Sequence, residues 1–459
     1  MGNFGFSDVR ATMPISFRLA AVAFAFALSA LCAPASAAVT DGVTFDVVVA
    51  RHGVRSVTKP PVQYAWPDWN PVSAGFLTAR GYKLMTYMGA FYRSYFASEG
   101  LTMCGPARSS YVYADHEQRP YETARAIVEG ACGAPDAVAI YHDARAGAAD
   151  PLFDGSDYFG PLGKIDTPAS LAAVTAAAPS PLPAIVTDHI ADFAALQAVL
   201  DGRCRSTCTP ARVGTSEISA TKDLAELHGP IDAASGYAEA LFLEYAQCRP
   251  LSQIDGGDAT ALASRLEAAM RLHVLAYDVN SRSPYNSMVR GGNLLAHIVA
   301  MLAQKAGVAD DVADAPPLDA DDVAFIVGHD TQLGALGGLL NAHWDPGHGL
   351  AADDMPPGGA LIFELYKGAG DEPRVRLKFV TQSLAQFRSA AALPGGVVVV
   401  PARFAGCSGD DCSVSLASLA GIARNASSRG FVLKEWTKAA DAILGFPPLV
   451  DPAWTNCPA

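Results

Sequence analysis

Two apolar runs rich in β-branched residues, far apart in the chain, constrain the fold most. They are Val43 to Ala50 and Val323 to Val327, and polar residues follow each run directly. Continuous apolar runs of this length predict strands that are buried on both faces. Segments of helical periodicity separate them from further predicted strands at 110–114, 361–366, 374–380 and 397–400. This alternation predicts an α/β fold with a largely parallel sheet flanked by helices.

The region from about residue 160 to 290 differs in composition from the rest. It is rich in Ala, it contains breaks at Pro, and its helix-period segments lie at 190–200, 235–247 and 261–277. We therefore expect a mostly α-helical subdomain inserted into the α/β fold. The predicted organisation is a first α/β part at 38–160, a helical insertion at 161–290 and a second α/β part at 291–459.

Residues 1–37 are predicted to be a signal peptide rather than part of the fold. Arg10 and Arg18 precede an apolar run at 19–33, and the small residues at 35–37 place the cleavage after Ala37. The apolar run is short for a membrane span. No later stretch has the pattern of a transmembrane helix, so we expect a bacterial protein that is periplasmic or secreted and free of the membrane after cleavage.

The charge of the chain excludes some classes of partner. It has 46 acidic residues against 33 Lys and Arg, a formal net charge of −13. Such a surface argues against binding to nucleic acid or to an anionic membrane. The field of the whole molecule does not attract an anionic substrate either, so a phosphate site must be built from local cations.

The cysteines support export. Eight of the nine remain after residue 37, and an even number in an exported chain indicates disulfides. Cys204 and Cys208, and likewise Cys407 and Cys412, are close enough in sequence to pair locally. Cys104 with Cys132 is the next natural pair, which leaves Cys248 with Cys457. Eight cysteines allow 105 pairings, so other connectivities stay open.

Polar side chains of a particular set follow three of the predicted strands. Ligands of open α/β sheets bind beyond the carboxyl ends of the strands, so these side chains are expected at one site. A lone His after a strand is usually structural, whereas the combination R-H-G-x-R is more specific. The candidate side chains are Arg51, His52, Arg55, Arg119, His329 and Asp330.

This set of side chains suits the hydrolysis of a phosphate monoester without a metal. A neutral imidazole can attack phosphorus, and nearby cations should depress the pKa of His52 and keep it neutral. Guanidinium groups bind phosphate oxygens in pairs. A carboxyl group can protonate the leaving oxygen, and burial or bound phosphate is expected to raise the pKa of Asp330 for that task. An acidic pH optimum follows.

The motifs Arg51 to Arg55 (RHGVR) and Gly328 to Thr331 (GHDT) resemble those of the histidine acid phosphatases, the larger branch of the histidine phosphatase superfamily. The resemblance extends towards bacterial periplasmic 4-phytases. It implies a Rossmann-like α/β domain with an α domain, an active site between them, and no metal or other cofactor. The similar stretches lie at 51–59, 65–69, 77–81, 150–153, 325–333, 356–364 and 405–413.

The resemblance also implies a role for each candidate residue. His52 would carry the phosphoryl group and Asp330 would donate the proton. The residues implied in phosphate binding are Arg51, Arg55, Arg119 and His329. Those implied in binding the rest of a phytate-like substrate are Thr58, Lys59, Glu239, His273 and Arg290. Two positions depart from the family pattern: Pro120 replaces a Thr, and Gln332 stands where phytases usually carry Asn.

Three functions are compatible with the sequence. The first is a monomeric acid phosphatase whose small-molecule substrates include phytate, which Lys59 favours. The second is a narrower sugar phosphatase, such as a glucose-1-phosphatase. The third is an inactive periplasmic protein that binds a phosphorylated ligand, which would require loss of His52 or Asp330, and both residues are present.

Overall fold

The first predicted strand lies in the middle of the sheet, as strand β1 (Val43–Arg51). The computed structural model describes residues 42–61, 63–105, 109–145, 148–221, 224–255, 258–318, 321–390, 396–407, 412–437 and 439–456. The predicted signal peptide lies outside the described residues and stays a prediction, as do the boundaries at residues 160 and 290.

The elements alternate in the way the sequence predicts, and each predicted strand and helix is present. The remaining strands are β2 (Ser109–Ala114), β3 (Ile140–Asp143), β4 (Glu217–Thr221), β5 (Leu224–His228), β6 (Asp321–Gly328), β7 (Ala360–Lys367), β8 (Pro373–Gln382), β9 (Val397–Pro401), β10 (Ser413–Ser415) and β11 (Ala439–Ala440). The α-helices are α1 (Ala79–Ser98), α2 (Gln118–Cys132), α3 (Gly155–Phe159), α4 (Thr167–Ala177), α5 (Leu182–Asp188), α6 (Ile190–Asp201), α7 (Pro230–Ala246), α8 (Leu251–Asp255), α9 (Ala259–Asn280), α10 (Pro284–Ala306), α11 (Asp330–Leu340), α12 (Leu384–Ser389) and α13 (Leu416–Ser428).

The central sheet is mixed. Its strand order is β10-β8-β7-β1-β6-β2-β3-β11, with β9 paired to β8. The pairs β1–β6, β6–β2 and β2–β3 are parallel, whereas β1–β7, β7–β8, β8–β9, β8–β10 and β3–β11 are antiparallel. The α/β class is confirmed, but the prediction of a largely parallel sheet holds only for the half that contains β1, β6, β2 and β3. Short connections such as the one between β7 and β8 produce antiparallel neighbours, because a parallel return needs a crossover.

Strand β1 shows why its sequence is mostly apolar. Val48 and Ala50 pack in one hydrophobic cluster with residues of α1 and α2. Phe45, Val47 and Val49 pack on the opposite face, in a cluster with residues of α10 and α11. Successive side chains of a strand point to opposite faces, so a strand with helices on both sides carries apolar residues on both faces.

Helices α3 to α9 lie in sequence between β3 and α10, where the sequence predicts helices. The two-stranded hairpin of β4 and β5 also lies there, and the sequence analysis missed it. Thr167 to Asp188 is the one stretch within the described residues that is long and apolar enough to cross a membrane, with a mean hydropathy of 1.4. It is divided into α4 and α5, of 11 and 7 residues, and each is shorter than the roughly 20 residues of a span.

Three of the four suggested disulfides lie entirely within the described residues, and all three are formed. They join Cys104 to Cys132, Cys204 to Cys208, and Cys407 to Cys412. Cys457, the proposed partner of Cys248, lies outside the described residues. The confirmed pairs fit a protein that folds in an oxidising compartment.

Candidate active site

The carboxyl ends of three neighbouring parallel strands form the floor of the site. In the register of the sheet, Arg51 at the end of β1 pairs with Gly328 at the end of β6. Ala114 at the end of β2 pairs with Val327 on the other side of β6. The chain leaves all three strands at one edge of the sheet, and the motifs that follow them therefore meet.

His52 is placed and protonated as a nucleophile requires. It is 2% exposed, and its Nδ1 lies 2.9 Å from the carbonyl oxygen of Gly53. A carbonyl oxygen only accepts, so Nδ1 carries the proton and Nε2 keeps its lone pair. Burial, followed by the positive charges of Arg119 and Arg51, lowers the pKa of His52 well below its usual value. The imidazole is therefore neutral in mildly acidic solution, as expected.

Glycine is required directly after His52. A Cβ atom on Gly53 would lie 2.7 Å from Cγ of Met85 in α1, too close for any side chain. The backbone N–H of Gly53 donates to Oγ1 of Thr123 in α2, at 2.9 Å. The turn after β1 is thus packed against both helices, which fixes the position of the imidazole.

Arg51 and Arg55 share one carboxylate, that of Glu239 in α7. Nη2 of Arg55 lies 3.0 Å from Oε1 of Glu239, and Nη2 of Arg51 contacts the same oxygen. Nη1 of Arg51 donates to the carbonyl oxygen of Met355 at 2.6 Å. Burial favours protonation of Glu239, but the two arginines outweigh it and lower its pKa. Glu239 therefore holds both guanidinium groups in place.

Arg119 and His329 are joined to Asp115, the residue directly after β2. Nε2 of His329 lies 2.6 Å from Oδ2 of Asp115, and Nδ1 lies 3.2 Å from Nη2 of Arg119. Both ring nitrogens thus have protein partners. Burial favours protonation of Asp115, but His116 and His329 outweigh it and hold its pKa below the usual range. Asp115, which the sequence analysis did not select, orients His329.

Donors for an anion are left over around His52. The Nε atoms of Arg51, Arg55 and Arg119 are buried and have no hydrogen-bond partner among the described residues. Buried donors are nearly always paired in folded proteins. A tetrahedral dianion beside His52 would supply acceptors for them.

Asp330 lies in the first turn of α11, 2.7 Å from Nη2 of Arg51 through Oδ2. Its Oδ1 accepts the N–H of Thr331 at 2.9 Å, and the hydroxyl of Tyr277 in α9 also donates to the carboxylate. Burial favours the protonated form, but Arg51 and His273 outweigh it, and the pKa of Asp330 is held below its usual range. The prediction that the pKa of Asp330 is raised is therefore wrong for the site without substrate, because the positive charges of Arg51 and His273 stabilise the carboxylate.

Comparison with known proteins agrees with this geometry. No protein-family model matches the chain. Phytase AppA of Escherichia coli (strain K12) is 28% identical over 407 residues, which cover 82% of this chain and 89% of that protein. Glucose-1-phosphatase of Salmonella typhimurium is 25% identical, over 76% of this chain and 83% of that protein. The solved structure of Hafnia alvei phytase in complex with tartrate has a TM-score of 0.72 and 29% identity, covering 84% of this chain and 96% of the other.

The chain is similar over most of its length to histidine acid phosphatases, the family that its RHGVR and GHDT motifs resemble. The same Hafnia alvei phytase has also been solved with myo-inositol hexakis sulphate, and that structure has a TM-score of 0.71. The resemblance and the α/β architecture expected from the sequence are thereby confirmed.

The two departures from the family pattern have structural explanations in this chain. Pro120 lies in the first turn of α2, where a backbone N–H has no partner within the helix, so the missing donor costs little. Gln332 accepts the N–H of His329 through Oε1 at 2.9 Å and donates to the carbonyl oxygen of Phe153 at 2.7 Å. Gln332 therefore holds the turn between β6 and α11.

Thr58 and Lys59 are exposed, on the loop that follows Arg55. A Cβ atom on Gly75 would lie 3.2 Å from Cγ2 of Thr58 and 3.6 Å from Nη1 of Arg119. Thr58 is therefore close to Arg119. Their contact with substrate stays a prediction.

Glu239, His273 and Arg290 line one cavity of about 220 Å³, which we call the acidic cavity. Its wall includes Tyr277, the partner of Asp330, and also Glu226 of β5 and Asp232 of α7, which the sequence analysis did not select. Nδ1 of His273 lies 2.9 Å from Oγ of Ser235. Nη2 of Arg290 lies 2.6 Å from Oε1 of Glu226. The three helical-region candidates are thus brought together next to Tyr277, which contacts the carboxylate of Asp330.

One group of side chains could approach a metal ion. Asp115, Glu117 and His329 offer ligand atoms within 4.8 Å of one another. The guanidinium of Arg119 already pairs with Glu117 and contacts His329, so a cation is present at this position. The expectation that no metal or cofactor takes part stays a prediction.

Proposed function

We propose that this protein hydrolyses phosphate monoesters in two steps, through a phosphohistidine at His52. The observation that carries the proposal is the unprotonated Nε2 of a buried, neutral imidazole amid three arginines. The guanidinium of Arg51 contributes to the lowered pKa of His52, the proposed nucleophile, and its Nη2 also contacts Asp330, the proposed acid.

In the first step, Nε2 of His52 attacks phosphorus and the bond from phosphorus to the ester oxygen breaks. Arg51, Arg55 and Arg119 stabilise the charge on the non-bridging oxygens. Asp330 in its protonated form donates its proton to the leaving oxygen. In the second step, water attacks phosphorus, its proton passes to Asp330, the P–N bond breaks and phosphate leaves.

The proton on Asp330 must enter with the substrate, because the carboxyl is ionised in the free site. A phosphate dianion beside it would raise its pKa, as like charges do. A monoester monoanion, which predominates below about pH 6, brings that proton with it. This requirement, together with a His52 that stays neutral in acid, gives the acidic optimum that the sequence analysis expects.

We further propose that the protein acts outside the cytoplasm as a monomer. The basic and apolar start of the chain supports export, and so do the three disulfides, which form and persist in oxidising compartments. An inactive phosphate-binding protein is disfavoured, since both His52 and Asp330 are present.

Two substrate classes are candidates. Phytate is supported by the names of relatives, which include phytases, and by the exposed Lys59. A sugar monophosphate is supported by a relative named glucose-1-phosphatase and by the carboxylates of the acidic cavity.

Replacing the nucleophile tests the proposed reaction. His52→Ala should lower turnover of p-nitrophenyl phosphate at pH 5 by about 10⁴-fold or more, because no other group can accept the phosphoryl. His348→Asn is the matched control, since His348 is exposed and has a left-handed backbone conformation that Asn tolerates. Rapid quenching in alkali, after mixing with a substrate labelled in its phosphoryl group, should trap label on the wild type and not on His52→Ala, because a P–N bond to histidine survives base but not acid. Wild-type turnover by His52→Ala would disprove the assignment.

A further inference from the structure

The acidic cavity begins where the leaving group must emerge. Tyr277, in its wall, donates to the carboxylate of Asp330, and Glu239, also in its wall, contacts Arg51. Asp330 protonates the leaving oxygen in the proposed reaction, so the rest of the leaving group starts beside these residues. The cavity, of about 220 Å³, is smaller than the roughly 300–1,000 Å³ of sites for drug-sized ligands.

Resting on the proposed function, we infer that the acidic cavity selects an uncharged, hydroxyl-bearing leaving group and rejects one that carries further phosphates. The preferred substrate class is then a sugar or polyol with a single phosphate. Phytate, whose leaving group carries five more phosphates, is a poor substrate on this inference.

The charges of the cavity carry the first step of the inference. Of its described lining residues, Arg290 alone has a fixed positive charge, against the carboxylates of Glu226, Asp232 and Glu239. Arg290 is already paired with Glu226 at 2.6 Å, and Asp232 stands at the exposed rim. Glu239 is balanced by Arg51 and Arg55. A phosphate entering here would find no unpaired cation and would meet like charge at the rim.

The hydrogen-bonding groups of the cavity carry the second step. Carboxylate oxygens accept hydrogen bonds, so they suit hydroxyl groups and not phosphate oxygens. His273 is only 2% exposed, and its Nε2 is buried and has no hydrogen-bond partner among the described residues. Such an atom in the wall of a cavity is a ready partner for a ligand hydroxyl.

The test compares phytate with glucose 1-phosphate as probes, by kcat/KM at pH 5 and pH 6. The wild type should favour glucose 1-phosphate. Glu226→Gln removes one carboxylate and frees Arg290, so it should shift the ratio of the two kcat/KM values towards phytate by about 10-fold or more. Asp232→Asn should shift the ratio in the same direction by less, because Asp232 is more exposed. The double variant Glu226→Gln with Arg290→Gln should lose most of the shift.

Glu267→Gln is the matched control, because Glu267 is a partly exposed glutamate of α9 outside the cavity lining. It should leave the ratio unchanged. A wild type that favours phytate, or a Glu226→Gln variant with an unchanged ratio, would overturn the inference while turnover of p-nitrophenyl phosphate upholds the proposed function. A wild type that does not hydrolyse p-nitrophenyl phosphate would overturn both.

Discussion

The two sides of the site carry charge in opposite ways. On the phosphate side, which comprises His52, Arg51, Arg55 and Arg119, guanidinium groups surround a neutral imidazole. On the other side, the acidic cavity presents carboxylates and a single arginine that is already paired. Asp330 lies at the boundary and contacts both, through Arg51 and Tyr277.

The two sides also arise from different parts of the fold. The phosphate side is built mainly from the segments that follow three adjacent strands, so the order of the sheet determines it. The acidic cavity is built from α7, α9, α10 and the hairpin of β4 and β5, which lie outside the central sheet. In the proposed reaction, substitutions in these elements that keep Glu239 and Tyr277 can therefore change the selection of the leaving group without disturbance of His52.

Asp330→Asn should produce the largest effect that depends on the leaving group. We expect losses of about 10²–10⁴-fold in kcat for glucose 1-phosphate, because a poor leaving oxygen needs a proton. For p-nitrophenyl phosphate the loss should be about 10-fold or less, since nitrophenolate leaves without one. Steady-state kinetics of both substrates provide the measurement, with the exposed Asp311→Asn as control. Equal losses on the two substrates would show that Asp330 does not donate the proton to the leaving oxygen.

Arg119→Ala should produce a smaller loss that is the same for every substrate. Loss of one preorganised donor to the transferring group costs about 10²–10³-fold, whatever the leaving group. Arg119→Lys should recover part of the activity, because the charge remains but the planar fork is lost. The control is Arg125→Ala, on the same helix but paired with Glu122. A loss that differed strongly between glucose 1-phosphate and p-nitrophenyl phosphate would show that the phosphate side and the acidic cavity do not act independently.

The phosphate side could be predicted from the sequence because it follows buried strands. The apolar runs that end at Ala50 and Val327 mark central strands, and the polar residues after them can only gather at the carboxyl edge of a parallel sheet. The antiparallel half of the sheet also had a signal in the sequence. Lys367 and Pro373 are too close in the chain for a crossover, so β7 and β8 had to be antiparallel.

The acidic cavity could be predicted only in part. Glu239, His273 and Arg290 were found by resemblance, but Glu226 lies on a short hairpin strand that has no clear alternation. Tyr277 looks like an ordinary apolar-face residue of α9. Its role depends on the packing of α9 against α11, which brings it to Asp330 and which periodicity does not specify. Likewise, the net lowering of the pKa of Asp330 depends on the distance to Arg51.

The smallest expected effect concerns Asp354, a fully buried residue close to Arg51 on the phosphate side. Neither of its carboxylate oxygens has a side-chain hydrogen-bond partner among the described residues, and only the backbone N–H of Met355 is close enough to favour the ionised form. Burial raises its pKa to about 7, although Arg51 opposes the rise. At acidic pH, Asp354 is therefore neutral and leaves the positive charge of Arg51 available to phosphate.

The sign of the pH dependence follows from linkage. Unfolded Asp titrates near pH 3.9, and folded Asp354 titrates near pH 7, so the folded protein holds an extra proton between these values. The stability linked to that proton is fully present below about pH 4 and is lost as the pH rises through about 7. Asp354→Asn cannot ionise, so its Tm should exceed that of the wild type by a few degrees at pH 8 and by little at pH 4. Asp311→Asn, at an exposed site, should change neither value. The same Tm difference at both pH values would mean that Asp354 ionises normally, and that the phosphate side contains a permanent negative charge behind Arg51.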